Sequence, residues 1–359
     1  MVGLYIGSTH GFSGKNLITL ALGKKFKDDG IKIGYMKPVG AVPREIEGRM
    51  VDEDAYEALK FLDIKVDDPA SVTPVLISQD FMQKAYTGEC LLYMQDIKKA
   101  FDQLHKDNEL MLIGGSGSYL YTGKYCNLDG MSISRALGSK VILIDRYKQE
   151  LNYDYLIAAK EMLGDDLVGV ILNDVPENFM REAKEYVTPM LEHRQVNVLG
   201  TIPHDPLLKA ISVGDLAKEL GGRIISMQSK SDQVIQNFLI GTMQIENFMA
   251  HFHKNKNSAV IVGGDRSDLH LVAMEGNCPC LILTGNIYPN DIVLTRSEVL
   301  GIPVIVARED TFTVAQKMEK ILNRTKLREE VKIKQGCQVV NDNLDYKTLY
   351  QNLGIQGKS

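Results

Sequence analysis

Gly7-Ser8-Thr9-His10-Gly11-Phe12-Ser13-Gly14-Lys15-Asn16 follows directly on the apolar run Val-Gly-Leu-Tyr-Ile of residues 2–6. The order is strand, glycine-rich loop, then a Gly-Lys pair at the mouth of a helix. Glycines let the backbone curl so that N–H groups point inward. The helix N-terminus adds partial positive charge, and the lysine adds a full one. Gly7, Thr9, Gly11, Ser13, Gly14, Lys15 and Asn16 are therefore the candidate phosphate-binding residues. The pattern departs from GxxxxGK[ST] twice. Thr9 stands where the first glycine belongs, and Asn16 replaces the hydroxyl that would hold Mg²⁺. The strand before and the helix after favour a phosphate loop over an ordinary strand-to-helix turn. Transfer or hydrolysis of the phosphate stays open.

With 359 residues the chain is long for one domain, and two are expected. A net charge of −5 gives no basic excess, so no nucleic-acid partner is expected. No apolar run approaches membrane-spanning length, and the N-terminus reads as a core strand and not a leader. A cytoplasmic protein with no membrane partner is the expectation. Five cysteines, an odd count, agree with reduced thiols. The only close pair, Cys278-Pro279-Cys280, lacks CxxC spacing and reads as two semi-buried thiols in preference to a metal site.

The first half alternates short aliphatic runs with helical patterns, the signature of a parallel α/β sheet. Strands are expected at 2–6, 32–36, 110–113, 141–144 and 168–172. Leu17, Ile18, Leu20, Ala21, Leu22 and Phe26 form a helical stripe that Gly30 ends. A turn-like, proline-bearing segment at 198–206 closes this unit. A helix over 207–220 and strands at 259–262, 280–283 and 302–307 make a second α/β unit. An amphipathic helix at 313–322 and a small one at 346–353 follow. The expected domains are 1–206, 207–325 and a tail at 326–359.

Further segments gather at strand ends, where ligands of α/β sheets sit. Lys37-Pro38-Val39-Gly40 places a lysine there; a surface lysine before a turn is the bland alternative. In Asp52-Glu53-Asp54-Ala55 the acids either cap a helix or ligate Mg²⁺. Gly114-Gly115-Ser116-Gly117-Ser118 lets backbone approach a ligand closely, which singles out Gly115 and Gly117. Asp145, ending a strand, reads chiefly as a turn or cap residue. His10 reads as a polar loop residue, with contact to phosphate as the alternative; His251 and His253 read as surface.

Together with Gly169-Val170-Ile171-Leu172-Asn173, this order of motifs resembles the dethiobiotin synthetase family of P-loop proteins. It resembles more specifically the dethiobiotin-synthetase-like module at the front of long bacterial phosphotransacetylases. Gly264-Asp265-Arg266-Ser267-Asp268 and Thr284-Gly285 resemble the DRTGG domain that follows in those proteins. The phosphotransacetylase catalytic domain would lie beyond the sequence given. The fold implied is a P-loop NTPase-like parallel-sheet domain followed by a smaller α/β DRTGG-like domain. The resemblance implies that Lys15 and the loop amides hold phosphates, that Lys37 faces the substrate or terminal phosphate, that Asp54 is a Mg²⁺ ligand and that Asn173 binds adenine. Lys15 and Lys37 would be the catalytic pair if the chain is active. Gly114 stands where the family has a metal-binding glutamate, and with Asn16 this removes two metal-binding groups. Asp145 is an acid that could compensate, though a strand-ending acid is more often a turn residue or helix cap.

In the second unit, Gly264, Asp265, Arg266, Asp268, Thr284 and Gly285 are the candidate ligand residues. Anion binding by Arg266 and a structural salt bridge fit them equally. The reading taken is a nucleotide-binding regulatory protein for ATP or ADP, with Mg²⁺ as an optional companion. A homodimer and a metabolic enzyme are its expected partners. The alternatives are an active Mg-ATP-dependent ligase or carboxylase, and an oligomeric scaffold with decayed loops.

Overall fold

A computed structural model describes residues 2–90, 92–147, 153–255, 257–324 and 330–355. The chain forms two compact units, Met1–His204 with Leu327–Ser359, and Asp205–Lys326.

The first unit is built on a six-stranded sheet. Its strands are β1 (Val2–Ser8), β2 (Ile33–Met36), β3 (Leu110–Gly114), β4 (Lys140–Arg146), β5 (Leu167–Val175) and β6 (Val198–Pro203). The order across the sheet is β6-β5-β4-β1-β3-β2, and every pairing is parallel. Burial on both faces explains the unbroken aliphatic runs: all five residues of β3 are buried. In register, Ile6 pairs with Gly114 and Ser8 with Ile144. The ends of β1, β3 and β4 therefore converge around the loop that follows β1.

Helix α1 (Lys15–Asp28) leaves that loop and buries Leu17, Ile18, Leu20, Ala21, Leu22 and Phe26. Gly30, at φ 80°, ends it. Residues 198–203 are a strand and not the expected turn. Proline is tolerated because β6 lies at the sheet edge. A hairpin of Pro43–Ile46 and Arg49–Asp52 was not visible in the sequence pattern. It leads into helix α2 (Glu53–Phe61).

Residues 330–355, expected as a tail with one helix, fold onto the first unit. Leu344 bridges Gly200, the Asp345 N–H donates to the Leu199 carbonyl at 2.8 Å, and Asn352 Nδ2 donates to the Val168 carbonyl at 2.9 Å. The Tyr350 ring lies 5.7 Å from that of Phe26, and its hydroxyl donates to Asp29. A Cβ at Gly200 would sit 2.3 Å from the Asn343 carbonyl oxygen, a contact the backbone has to give way to. Gly200→Val should destabilise the unit by about 1–3 kcal/mol, the usual cost of forcing extra atoms into packed structure. Hydrogen exchange read by mass spectrometry should show residues 330–355 losing protection first. Unchanged protection there would refute this docking.

The second unit has a five-stranded sheet of β7 (Arg223–Ser226), β8 (Asn237–Ile240), β9 (Ser258–Gly263), β10 (Leu281–Thr284) and β11 (Val304–Val306). The order is β7-β11-β10-β9-β8, with only β7 antiparallel to its neighbour. The two-residue period sends Ala259 and Ile261 to one core and Val260 and Val262 to the other. Buried Cys280 joins the first and Cys278 the second; burial pushes the Cys278 thiol up to about 12 and holds the Cys280 thiol well above its usual value.

The helix expected over 207–220 is broken. Asp205 caps a short Pro206–Lys209 helix, Ile211–Ser212 pair with Val234–Ile235, and Ser212 then caps α3 (Val213–Glu219). Helices α4 (Ser267–Glu275), α5 (Asp291–Leu300) and α6 (Thr311–Arg324) follow β9, β10 and β11.

Candidate functional site: the loop after the first strand

Gly14 is the N-cap of α1, at φ 95°, and no side chain caps the helix. The N–H groups of the first turn and the positive end of the dipole are left for a ligand to satisfy. Glycine is required here on two counts. The backbone is left-handed, and a Cβ would lie 2.2 Å from Asn173 Nδ2. Phe12, also left-handed at φ 58°, turns the loop and exposes its ring.

Lys15 spans the loop mouth. Its ammonium donates to Ser8 Oγ at 2.7 Å and to the Gly117 carbonyl at 2.8 Å, so it links the ends of β1 and β3. Burial lowers its pKa to about 8; the charge of Lys37 pushes the same way, and Asp54 opposes. Lys15, Lys37 and Asp54 thus share one electrostatic environment.

The rest of the loop is held from three sides. Ser13 Oγ donates to the His10 carbonyl at 3.0 Å. Buried Thr9 donates through its hydroxyl to Asp145 Oδ1 at 2.5 Å, and His10 Nδ1 lies 3.0 Å from the same hydroxyl. Asp145, at the end of β4, is therefore the carboxylate the fold brings to this loop. Gly11 is exposed and meets no neighbour that forbids a side chain. Asn16 is exposed on the first turn of α1. Gly7 owes its identity to packing, since a Cβ would lie 2.8 Å from the Tyr119 ring. Gly115 passes close to the Ile6 carbonyl, and Gly117, at φ 59°, packs on Thr122. Gly114 occupies a space where a Cβ would approach Tyr35 Oη to 3.1 Å.

Asn173 is nine-tenths buried, and its amide Nδ2 donates to the Ser13 carbonyl at 2.9 Å. In this structure the side chain braces the phosphate loop. Its neighbour Asp174 carries a network that sequence reasoning missed. Asp174 accepts from Arg146 Nε at 2.7 Å and pairs with His204 Nδ1 at 2.6 Å. Arg146 reaches the Phe12 carbonyl at 3.3 Å. The ends of β4, β5 and β6 are thereby tied to the loop. An arginine closing one strand and an aspartate closing the next were the only clues available.

Lys37 is buried at the end of β2. Its ammonium contacts Asp52 Oδ1 at 2.7 Å and Asp54 Oδ2 at 2.9 Å. Asp52 is fully buried, accepts from the Val42 and Ala55 N–H groups and caps α2. Burial raises the Tyr35 phenol well above its usual value, and the Asp52 and Asp54 charges add to this. Asp54, the expected Mg²⁺ ligand, is thus already paired with Lys37. Among the described residues no group of three or more His, Cys, Asp or Glu side chains is placed to hold a metal. The uncapped helix end and Lys15 fit a phosphate chain. The protein's own donors do not fit a Mg²⁺ site unless phosphate oxygens complete it.

The residues expected to bind a ligand in the second unit line the ends of β9 and β10. Gly264 packs so closely on the Ile287 carbonyl that a Cβ would lie 2.2 Å from it. Thr284 Oγ1 lies 2.7 Å from Thr311 Oγ1, and Gly285, at φ 79°, donates to the Glu309 carbonyl. Asp265 folds its carboxylate toward Gly263. Arg266 pairs with Asp268 through two bonds, Nε to Oδ1 at 3.0 Å and Nη2 to Oδ2 at 2.9 Å. His251 and His253 are exposed on either side of buried Phe252.

Comparison with known proteins finds two family models along the chain. The AAA domain family model matches residues 2–212, and the DRTGG domain model matches residues 215–321. The chain is 22% identical over 366 residues to the phosphate acetyltransferase of Synechocystis sp., covering 98% of this chain and 51% of that protein. The phosphate acetyltransferase of Nitratidesulfovibrio vulgaris is also 22% identical, over 377 residues, with the same coverage of 98% and 51%. An ATP-dependent dethiobiotin synthetase from Aquifex aeolicus is 28% identical over 174 residues, 47% of this chain and 75% of that one. The chain spans about half the length of the phosphate acetyltransferases it matches. Among the described residues no helix is long and apolar enough to cross a membrane. A loop that closes on a lysine at an uncapped helix, carried on an all-parallel sheet and matched over more than half of the sequence, places this chain in the AAA domain family, with a DRTGG domain after it.

Proposed function

We propose that this protein is an adenine-nucleotide-binding regulatory protein, in which ATP or ADP occupies the first loop and sets the conformation or partner choice of the chain. The observation that carries the proposal is the pairing of Lys15 with the uncapped N-terminus of α1. One ammonium and a row of first-turn N–H groups face the same loop, the arrangement that stabilises a polyphosphate. On binding, the Lys15 ammonium exchanges the Ser8 hydroxyl and the Gly117 carbonyl for phosphate oxygens, and charge-assisted bonds replace neutral ones. The bracing of the loop by Asn173 and Arg146 holds the cradle in place beforehand.

Regulation is favoured over ligase or carboxylase chemistry by the state of Lys37 and Asp54. Both are engaged with each other, and Lys37 also with Asp52. A transferring lysine and a metal-binding acid would have to part before either could act. The relatives' names suggest that the partner or the controlled reaction belongs to acetyl-phosphate metabolism.

Isothermal titration of the full chain with ATP and with ADP, each with and without Mg²⁺, tests the reading. One nucleotide per chain should bind at the first loop, and Lys15→Ala should remove that binding. Magnesium should change the affinity by less than tenfold, because few protein groups are placed to share the ion. No binding by the wild type, or equal binding by Lys15→Ala, overturns the proposal.

A further inference from the structure

The second unit contains a cavity of about 260 Å³ lined by Gly221, Arg223, Asn286, Tyr288, Val306 and Arg308. It lies where β10 and β11 end and β7 begins: Asn286 and Tyr288 follow β10, Arg308 follows β11, and Arg223 pairs with Val306. Open α/β sheets bind ligands at this edge, outside the carboxyl ends of parallel strands. Two guanidinium groups thus come to one cavity from separate strands. Neither has an ion-pair or hydrogen-bond partner among the described residues.

The neighbouring acids do not neutralise them. Glu309 Oε1 pairs with Lys317 at 2.7 Å. Asp310 caps α6, accepting from the Phe312 and Thr313 N–H groups and from the Thr313 hydroxyl. On the adjoining loop Arg266 is held by Asp268. Unlike Arg266 and Lys317, Arg223 and Arg308 are bonded to none of these acids.

The backbone is shaped for the same cavity. Gly221 is left-handed at φ 61°, and a Cβ on Gly222 would lie 2.9 Å from both Ile305 Cγ2 and the Val306 carbonyl oxygen. The glycines let the turn before β7 lie flat against β11. Asn286, left-handed at φ 55°, is pinned by its backbone N–H, which donates to the Ala307 carbonyl at 2.9 Å and leaves the side chain free of that bond. Its amide and the Tyr288 ring give one side of the cavity a hydrogen-bonding group and a flat face.

We infer that this cavity is a second ligand site, for a small phosphate monoester whose dianionic phosphate sits between Arg223 and Arg308. Two guanidinium forks match the charge and oxygen geometry of a phosphate. The volume falls below the roughly 300–1,000 Å³ of sites for drug-sized ligands, so the organic part is small or extends into solvent along Tyr288. This site is separate from the loop that carries the proposed function, and either can be true without the other.

The test is titration of the full chain at low ionic strength with inorganic phosphate, ribose 5-phosphate and AMP. The proteins are the wild type, Arg223→Gln, Arg308→Gln and Lys15→Ala. At least one probe should bind the wild type, with affinity about tenfold weaker in each arginine variant, about 1.4 kcal/mol. Binding should persist in Lys15→Ala, whose first loop is disabled. It should also weaken as salt is added. Tighter binding of either ester than of inorganic phosphate supports a monoester as the ligand, and equal affinities for all three overturn that assignment in favour of phosphate itself. Both arginines lie on the surface, so unchanged melting of the variants is the control for folding. The inference is overturned if none of the three probes binds at low-millimolar concentration, or if binding is lost in Lys15→Ala and kept in both arginine variants.

Discussion

Lys37→Met should lower the stability of the first unit by about 3–5 kcal/mol, the cost of stranding a buried charge whose partner has been removed. Asp52 is fully buried, and its counter-charge is the Lys37 ammonium 2.7 Å away. The N–H groups of Val42 and Ala55 satisfy part of its bonding but carry no full charge. Methionine matches the lysine stem in volume, so lost packing contributes little. Asp54 is partly solvated, and its share of the loss is smaller. Asp52→Asn keeps an oxygen to accept from Ala55 but leaves Lys37 with only Asp54. Adding it to Lys37→Met should restore part of the stability, because two neutral groups replace one uncompensated charge. The cycle of single and double variants, followed by calorimetry and by hydrogen exchange across residues 37–60, reads the coupling directly. A loss below about 1 kcal/mol in Lys37→Met would mean that Asp52 does not depend on this ammonium.

The Lys37 cluster also marks the limit of what the amino-acid order discloses. The first strand, loop and helix were legible because their signals are local: an aliphatic run, glycines, a Gly-Lys pair and a helical stripe within 28 residues. The parallel sheet was legible for the same reason, since strands buried on both faces read as continuous runs. Lys37 was correctly placed at a strand end, but its partner was hidden. Asp52 reaches it through a hairpin whose strands 43–46 and 49–52 are largely exposed and carry no apolar alternation. Asn173 was marked as a functional amide, yet its bond to the Ser13 carbonyl joins residues 160 positions apart. The sixth strand was obscured by its terminal Pro203, which an edge position tolerates, and by Pro206 just beyond it. Residues 330–355 were obscured by charge, although Ile333, Cys337, Val340, Leu349 and Leu353 are buried. In each case the missing information was tertiary. Local pattern shows which residues can be inside, and only the fold shows what they meet there.

ATP affinity should fall as the pH is raised past about 8, and Lys15→Ala should remove both the binding and its pH dependence. In the ligand-free protein burial lowers the Lys15 pKa from 10.5 to about 8; Lys37 adds to the shift, and Asp54 opposes it. A polyphosphate favours the ammonium form, so binding raises the pKa. Below about 8 the free and bound proteins carry the same proton, and affinity is flat. Above it the complex holds a proton that the free protein has lost, and affinity drops by up to tenfold per pH unit. Stability responds in the opposite sense. Between about 8 and 10.5 the unfolded chain keeps the Lys15 proton longer than the folded one. This group therefore makes the ligand-free protein more stable as pH rises through that window. Weaker ATP binding alongside an undiminished Lys15 contribution to folding separates its titration from general alkaline unfolding. Lys15→Arg, whose guanidinium does not titrate in this range, should give a flat profile wherever it still binds. Titration calorimetry from about pH 7.5 to 9.5 in buffers of different ionisation enthalpy should also register proton uptake on binding. A wild-type affinity that stays constant across that range, with no proton uptake, would show that the Lys15 ammonium does not meet the phosphates.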